Sequence, residues 1–217
     1  MKRYKLIIFD LDGTLADTSA GIIACHRYAN AQMGSPIMDD RILDGIIGGP
    51  LLKTYIERFG YSPCQAKQAV GIYRDYYKKI GFSGCELYPG MDQCLRRLKA
   101  DGYLLAVATL KEEKLAKQIF RKLGVEDHFD LIHGMDAQDT LSKSDLLEMC
   151  MDELHVQRSE TILIGDSIHD ANGAKEAKVG FLAVTYGFGF AKGTDCSQIA
   201  AVTIAEDCTQ LMNYFAQ

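Results

Sequence analysis

The sequence predicts a doubly wound α/β fold: a parallel sheet with helices on both faces and an all-helical segment inserted after the first strand. Three observations predict it. Five short apolar runs read as strands buried on both faces. Stretches of helical spacing alternate with them, as in successive βαβ units. Between the first and second runs lies a helical interval of roughly 65 residues, too long for one crossover helix.

The strands are read at Leu6–Phe9, 104–108, 131–133, 161–164 and 181–184. The core helices are read at 92–100, 112–123, Lys143–Leu154 and 170–177, where apolar residues recur three and four apart. The interval between the first two strands carries further helical patterns at Ser19–Gln32, 41–46, 51–59 and Pro63–Ile80. Gly34-Ser35-Pro36, Gly48-Gly49-Pro50 and Gly60-Tyr61-Ser62-Pro63 punctuate them. The expected organisation is a core of residues 1–16 and 85–217 and a helical cap of residues 17–84.

The 217 residues, 47% hydrophobic and 24% charged, suit a single core with an insertion and require no disulfide or metal staple. A net charge of −5 disfavours nonspecific nucleic-acid binding, and an anionic substrate would need local cations. The seven cysteines are odd in number and none has CxxC spacing, which argues for small apolar fillers in a reducing compartment rather than a zinc or redox motif. The apolar run at 6–9 is too short for a signal peptide, and no stretch approaches the ~20 apolar residues of a membrane span. The expectation is a cytoplasmic protein without nucleic-acid or membrane partners, monomeric or homodimeric.

Ligands of open parallel sheets bind beyond the carboxyl ends of the strands. There the sequence places Asp10-Leu11-Asp12-Gly13-Thr14, Thr109 with Lys111, and Gly165-Asp166-Ser167-Ile168-His169-Asp170, with Lys143 at a helix start. Four carboxylates crowded together raise one another's pKa, and a hard divalent cation such as Mg²⁺ resolves the conflict. Two lysines and a hydroxyl suit the remaining oxygens of a phosphate. Asp10 and Asp12, two apart at a strand end, share one side of the chain. One can attack phosphorus while the other serves as general acid and then base. Gly13 allows the backbone to turn away sharply.

Phe9-Asp10-Leu11-Asp12-Gly13-Thr14-Leu15, Thr109, Lys143 and Gly165-Asp166-Ser167 with Asp170 resemble, in order, the four motifs of the haloacid dehalogenase superfamily. The helical block is similar to that superfamily's small inserted cap. Ile47-Gly48-Gly49-Pro50-Leu51, Tyr88-Pro89-Gly90 and Tyr186-Gly187-Phe188-Gly189 look most like its phosphoglycolate phosphatase and 5′-nucleotidase branch. The resemblance implies a Mg²⁺-dependent phosphatase acting on a small phosphorylated metabolite through an aspartyl-phosphate. Asp10 would be nucleophile and metal ligand, and Asp12 would be acid–base and a metal ligand through its carbonyl. Asp166 and Asp170 would serve the metal, and Gly13, Thr109, Leu110 and Lys143 the phosphate, with Thr109 and Lys143 also catalytic. Two positions depart from the usual pattern. Ser142-Lys143-Ser144 stands where Gly-Lys-Pro is common, and Leu110 stands where a hydrogen-bonding side chain is usual. The alternatives are a 5′-nucleotidase-like phosphatase and a phosphosugar mutase of the β-phosphoglucomutase type, which shares the motifs. His26 and His169 are read as packing or surface residues. Lys111 is balanced between a phosphate contact and a solvated lysine, and Arg41, Lys53, Arg58 and Arg74 are the cap cations.

Overall fold

The computed structural model describes residues 3–35, 46–81, 84–136 and 138–216. Six parallel strands run in the order β5-β4-β1-β6-β7-β8. They are β1 (Leu6–Phe9), β4 (Leu104–Glu112), β5 (Leu131–Met135), β6 (Thr161–Gly165), β7 (Gly180–Val184) and β8 (Thr203–Ala205). β1 is central, pairing Ile8 with Ala106 on one side and Leu163 on the other. The chain first builds outward from β1 to β5 and then returns across it to build β6, β7 and β8. The order therefore reverses beside β1, where open sheets of this kind form their crevice.

The period of two along the strands sorts the core into two layers. Ile7, Phe9, Leu105, Val107, Ile162 and Ile164 pack with α4 (Met91–Ala100), α5 (Glu113–Leu123) and α8 (Cys208–Phe215). Leu6, Ile8, Ala106, Ala108 and Leu163 pack with α6 (Lys143–Leu154) and α7 (Ile168–Ala177). Every strand residue of β1 is buried, which accounts for its unbroken apolar run. Cys25, Cys85, Cys94, Cys150 and Cys208 are buried free thiols, while Cys64 is exposed.

A short antiparallel ribbon, β2 (Ala16–Asp17) with β3 (Glu86–Leu87), flanks the helices α1 (Ser19–Gln32), α2 (Leu51–Glu57) and α3 (Pro63–Ile80). α3 opens on a capping box between Ser62 and Gln65, with Pro63 in its first turn. All five apolar runs are strands as expected, but β4 runs on to Glu112. The helix expected from 112 therefore starts at Glu113. The helix expected over 51–59 ends at Glu57, just before Gly60 at φ +69°. The helix expected over 41–46 lies outside the described residues except for Ile46. β8 and α8 go beyond the sequence reading. The strand is three residues long and half-buried, too little for periodicity to register.

Gly21 of α1 faces the end of α3 so closely that a Cβ would come 2.1 Å from the Gly81 carbonyl oxygen. No rotamer relieves a clash with backbone. Gly21→Ala should destabilise the protein by about 1–3 kcal/mol in denaturant titration, despite the better helix propensity of alanine.

Candidate active site

The alternation that sorts the core also aims Asp10. Leu6 and Ile8 face α6 and α7, and Asp10, next in that series, meets both helices just past the strand's end. Lys143, the first residue of α6, spends its ammonium on three acceptors: Asp10 Oδ1 at 2.7 Å, Asp170 Oδ1 at 2.8 Å and the Ala108 carbonyl at 2.8 Å. Ser142 before it is the N-cap. Its hydroxyl accepts from the Asp145 amide and its own amide donates to the Asp145 carboxylate. The departure from Gly-Lys-Pro is thus a capping box that starts α6 at the lysine. The mid-helix Gly173 makes room for it, since a Cβ there would sit 2.4 Å from Lys143 Cγ.

Asp166 and Asp170 come from the β6–α7 junction. Asp170 closes a second capping box, its Oδ2 accepting from Ser167 amide (3.0 Å) and hydroxyl (2.6 Å). Asp166 Oδ2 accepts from the Phe188 and Gly189 amides at 2.7 and 3.1 Å, and Oδ1 lies 3.4 Å from the Thr14 hydroxyl. The loop after β7 therefore holds this carboxylate, and the Tyr186 hydroxyl donates to the Thr14 carbonyl to tie the same loop to the first motif. A side chain at Gly13 (φ +82°) would strike Asp166 Oδ2 at 2.2 Å, so both the turn and the packing require glycine.

Asp12 lives in a different setting. Its Oδ1 accepts from the Thr18 hydroxyl and pairs with Lys111 Nζ at 3.0 Å. Lys111 is buried and lies over the Tyr77 ring, 4.8 Å from its centroid. It reaches this place because β4 is irregular: Thr109 pairs with Gly134, yet the next pair is Glu112 with Met135. The extra residues, Leu110 and Lys111, are thrown out of register, as bulges beside active sites do. Gly134 is bare because a Cβ would meet the Lys111 carbonyl at 2.6 Å.

One oxygen from each of Asp10, Asp166 and Asp170 lies within 4.8 Å of the others, and all three residues are buried. Against three carboxylates stands one ammonium. Burial first, then Asp170 and Asp12, hold Asp10 well above the usual carboxylate range despite Lys143. Burial and Asp170 do the same to Asp166 despite its two amide donors. Burial would lower Lys143, but Asp10 and Asp170 keep it raised and charged. The surplus of two negative charges in a water-poor crevice is what a divalent cation would cancel, so the donor set fits a hard oxygen-liganded metal. The Asp12 carboxylate is not in this cluster.

Thr109 is buried beside Ala108, and its Oγ1 accepts from the Lys111 amide at 3.2 Å. Leu110, expected at the phosphate, is half-buried and packs against the α6–α7 core layer. Of the cap cations, Lys53 is exposed beside Glu57, Arg74 pairs with Asp139 at 2.6 Å and with Glu112 at 3.6 Å, and Arg41 lies outside the described residues. Thr18 carried no signal in the sequence, and Phe188 and Gly189 stood out only as part of a family-like run, because their contacts with Asp12 and Asp166 come from long-range closure of loops.

The charge crowding sets opposite signs for two substitutions in metal-free buffer with EDTA. Asp10→Asn should raise stability by roughly 1 kcal/mol, ~2–4 °C at this chain length. Lys143→Met should lower it by about 3–5 kcal/mol. Thermal and denaturant unfolding read both.

No described helix is long and apolar enough to cross a membrane. The family model of the haloacid dehalogenase-like hydrolases matches residues 7–184. A 5′-nucleotidase of Pseudomonas aeruginosa is 34% identical over 86% of this chain and 85% of its own. The tyrosine-protein kinase PtkA of Mycobacterium tuberculosis is 33% identical over 95% of this chain and 71% of its own. A phosphoglycolate phosphatase of Vibrio vulnificus is 27% identical over 98% and 96%. The crystal structure of a predicted phosphatase from Clostridium acetobutylicum superposes with a TM-score of 0.92 at 30% identity, covering 98% of both chains. A buried acid cluster at the switch point of this sheet, together with a match over most of the chain, leads to one assignment: the chain belongs to the haloacid dehalogenase-like hydrolase family.

Proposed function

We propose that this chain is a phosphatase of small phosphomonoesters working through an aspartyl-phosphate on Asp10. The observation that carries the reading is the division of labour between Asp10 and Asp12. The two acids stand two residues apart, both buried, each on its own lysine: Lys143 for Asp10 and Lys111 for Asp12. Two carboxyl groups in different electrostatic settings take different roles.

Lys143 occupies Asp10 Oδ1, leaving Oδ2 to attack phosphorus. As the P–O bond to the leaving group breaks, Asp12 gives that oxygen a proton. Asp12, now a carboxylate, then takes a proton from water, whose oxygen attacks phosphorus and frees Asp10 and phosphate. Lys143 and the Thr109 hydroxyl offset charge gathering on the phosphoryl oxygens. Asp10, Asp166, Asp170 and the Asp12 carbonyl would hold Mg²⁺, which supplies charge neutralisation and orients the phosphoryl group. Residues 17–84 act as a cap that covers the crevice and excludes water.

The names of the relatives, phosphatases and nucleotidase on one side and a kinase on the other, support phosphoryl chemistry at this site and bracket its direction. A phosphosugar mutase remains the second reading from the motifs. Its mark is isomerised sugar phosphate without release of inorganic phosphate.

A panel of phosphoglycolate, nucleoside monophosphates and sugar phosphates should release phosphate with Mg²⁺ and lose all release with EDTA. Transfer from ATP to tyrosine in place of hydrolysis, or release that persists in EDTA, overturns the reading. Asp10→Asn should abolish turnover, and Asp12→Asn should lower kcat by about 10²–10⁴-fold with little change in KM.

Gly173→Ala tests the placement of Lys143. Displacing that ammonium should cost kcat ~10²-fold and lower stability by about 1–3 kcal/mol, less than its removal in Lys143→Met because the charge stays nearby. Steady-state kinetics beside a melting curve would separate the two effects.

A further inference from the structure

His26 has a polar atom that the fold does not use. It stands on α1, fully buried, among the rings of Tyr55, Phe59 and Tyr73, with centroids 5.3, 5.8 and 4.7 Å away. Its Nδ1 is 3.2 Å from the Tyr55 hydroxyl, which orients the imidazole. Its Nε2 is buried without a hydrogen-bond partner among the described residues. A buried polar atom left unpaired costs stability and calls for an explanation. The same residue lines a cavity that Asp12 and Lys111 also line, bounded by Ile22, Tyr73 and Tyr77. Burial, then the charge of Lys111, hold the imidazole neutral, with its pKa pulled down to about 3.

Size and charge narrow what could occupy that cavity. It encloses about 50 Å³, and one water needs roughly 10–15 Å³, so it suits a group of a few heavy atoms. Among the described residues, two cations line it and both are engaged: Lys111 with Asp12, and Arg74 with Asp139 and Glu112. The carboxylates on its wall, Asp12, Glu112 and Asp139, outnumber these two. An anionic leaving group would break one of these pairs or sit against a carboxylate.

Resting on the phosphatase reading, we infer that His26 is a specificity-determining residue: its Nε2 hydrogen-bonds a hydroxyl of a small, uncharged leaving group, so the preferred substrates are short polyol phosphates rather than carboxylated esters. The neutral imidazole serves such a hydroxyl as donor or acceptor. Asp12, which the leaving oxygen must face, shares the cavity, so the contact lies along the rest of the leaving group.

The test compares glycerol 3-phosphate with n-propyl phosphate, a near-isostere without hydroxyls, and with phosphoglycolate. Wild-type kcat/KM should favour glycerol 3-phosphate over both by about tenfold or more. His26→Phe and His26→Asn both remove Nε2, Asn keeping a polar atom for Tyr55. Each should lower the glycerol-to-propyl ratio about tenfold, chiefly through KM, while His26→Gln, whose amide reaches the Nε2 position, should retain most of it. A packing role alone would lower both esters together and would not separate Gln from Asn. An unchanged ratio in the Phe and Asn variants, Gln and Asn behaving alike, or a wild-type preference for phosphoglycolate overturns the inference. Thermal shift of Asp10→Asn with Mg²⁺ and glycerol 3-phosphate, with and without His26→Asn, reads the same contact without turnover. A shift lost with His26→Asn supports it even if no ester is hydrolysed, an outcome that would sink the phosphatase reading alone. A shift that persists in the double variant overturns it.

Discussion

Too much negative charge in too little water is the constraint around which this molecule is arranged. Three buried carboxylates converge at the carboxyl ends of β1 and β6, and among the described residues one ammonium, Lys143, meets them. Such a cluster opposes folding by its own repulsion, and the surroundings answer it piece by piece. Lys143 enters at the first turn of α6, two amides of the β7 loop hold Asp166, and a capping box holds Asp170. Glycines at 13 and 173 are vacated so that these groups fit. That an unfavourable cluster is kept fits the proposed role, since the same crowding would be relieved by a cation.

The second acid is insulated from that crowding. Asp12 leaves the strand after Leu11, whose carbonyl accepts from the amides of Thr14, Leu15 and Ala16 in one tight turn. The turn carries the Asp12 side chain towards Thr18 and Lys111, away from the cluster. Spacing of two residues along a strand would have kept both acids equivalent. The turn makes them different, which is what the proposed roles of nucleophile and proton carrier require.

Five of the six parallel strands, the helices between them and the gathering of Asp10, Lys143, Asp166 and Asp170 at one sheet edge were legible because they rest on local rules. An unbroken apolar run becomes a doubly covered strand, Ser142 and Asp145 start a helix, and Asp10 follows from the parity of Leu6 and Ile8. What escaped was set by distant partners. Lys111 looked equivocal because its place depends on a bulge defined by pairing with β5, some two dozen residues later. Gly187 and Gly189 stood out only within a family-like run, yet a Cβ at Gly187 would meet the Gly13 carbonyl at 2.2 Å and one at Gly189 the Asp166 carbonyl at 2.5 Å. Leu110, set out of register by the same bulge, packs against the α6–α7 layer and also lines the cavity that Asp12 and Lys111 line. His26 looked like packing, and by its ring contacts it is; only the unused Nε2 sets it apart.

The bulge also ties chemistry to the helices above it. Lys111 holds the Asp12 carboxylate and lies over Tyr77 of α3, while its neighbour Glu112 faces Arg74 of the same helix one turn earlier. Asp139, at φ +56°, completes the Arg74 pair from the loop after β5. Successive residues of one irregular strand end therefore grip an acid of the core and a basic residue of the helical layer. A shift of α3 that loosened Arg74 would pull on the backbone carrying Lys111, and so on the partner of Asp12. The helical layer and the Asp12–Lys111 pair are in this way joined through one strand end, since packed elements pass strain on rather than absorb it.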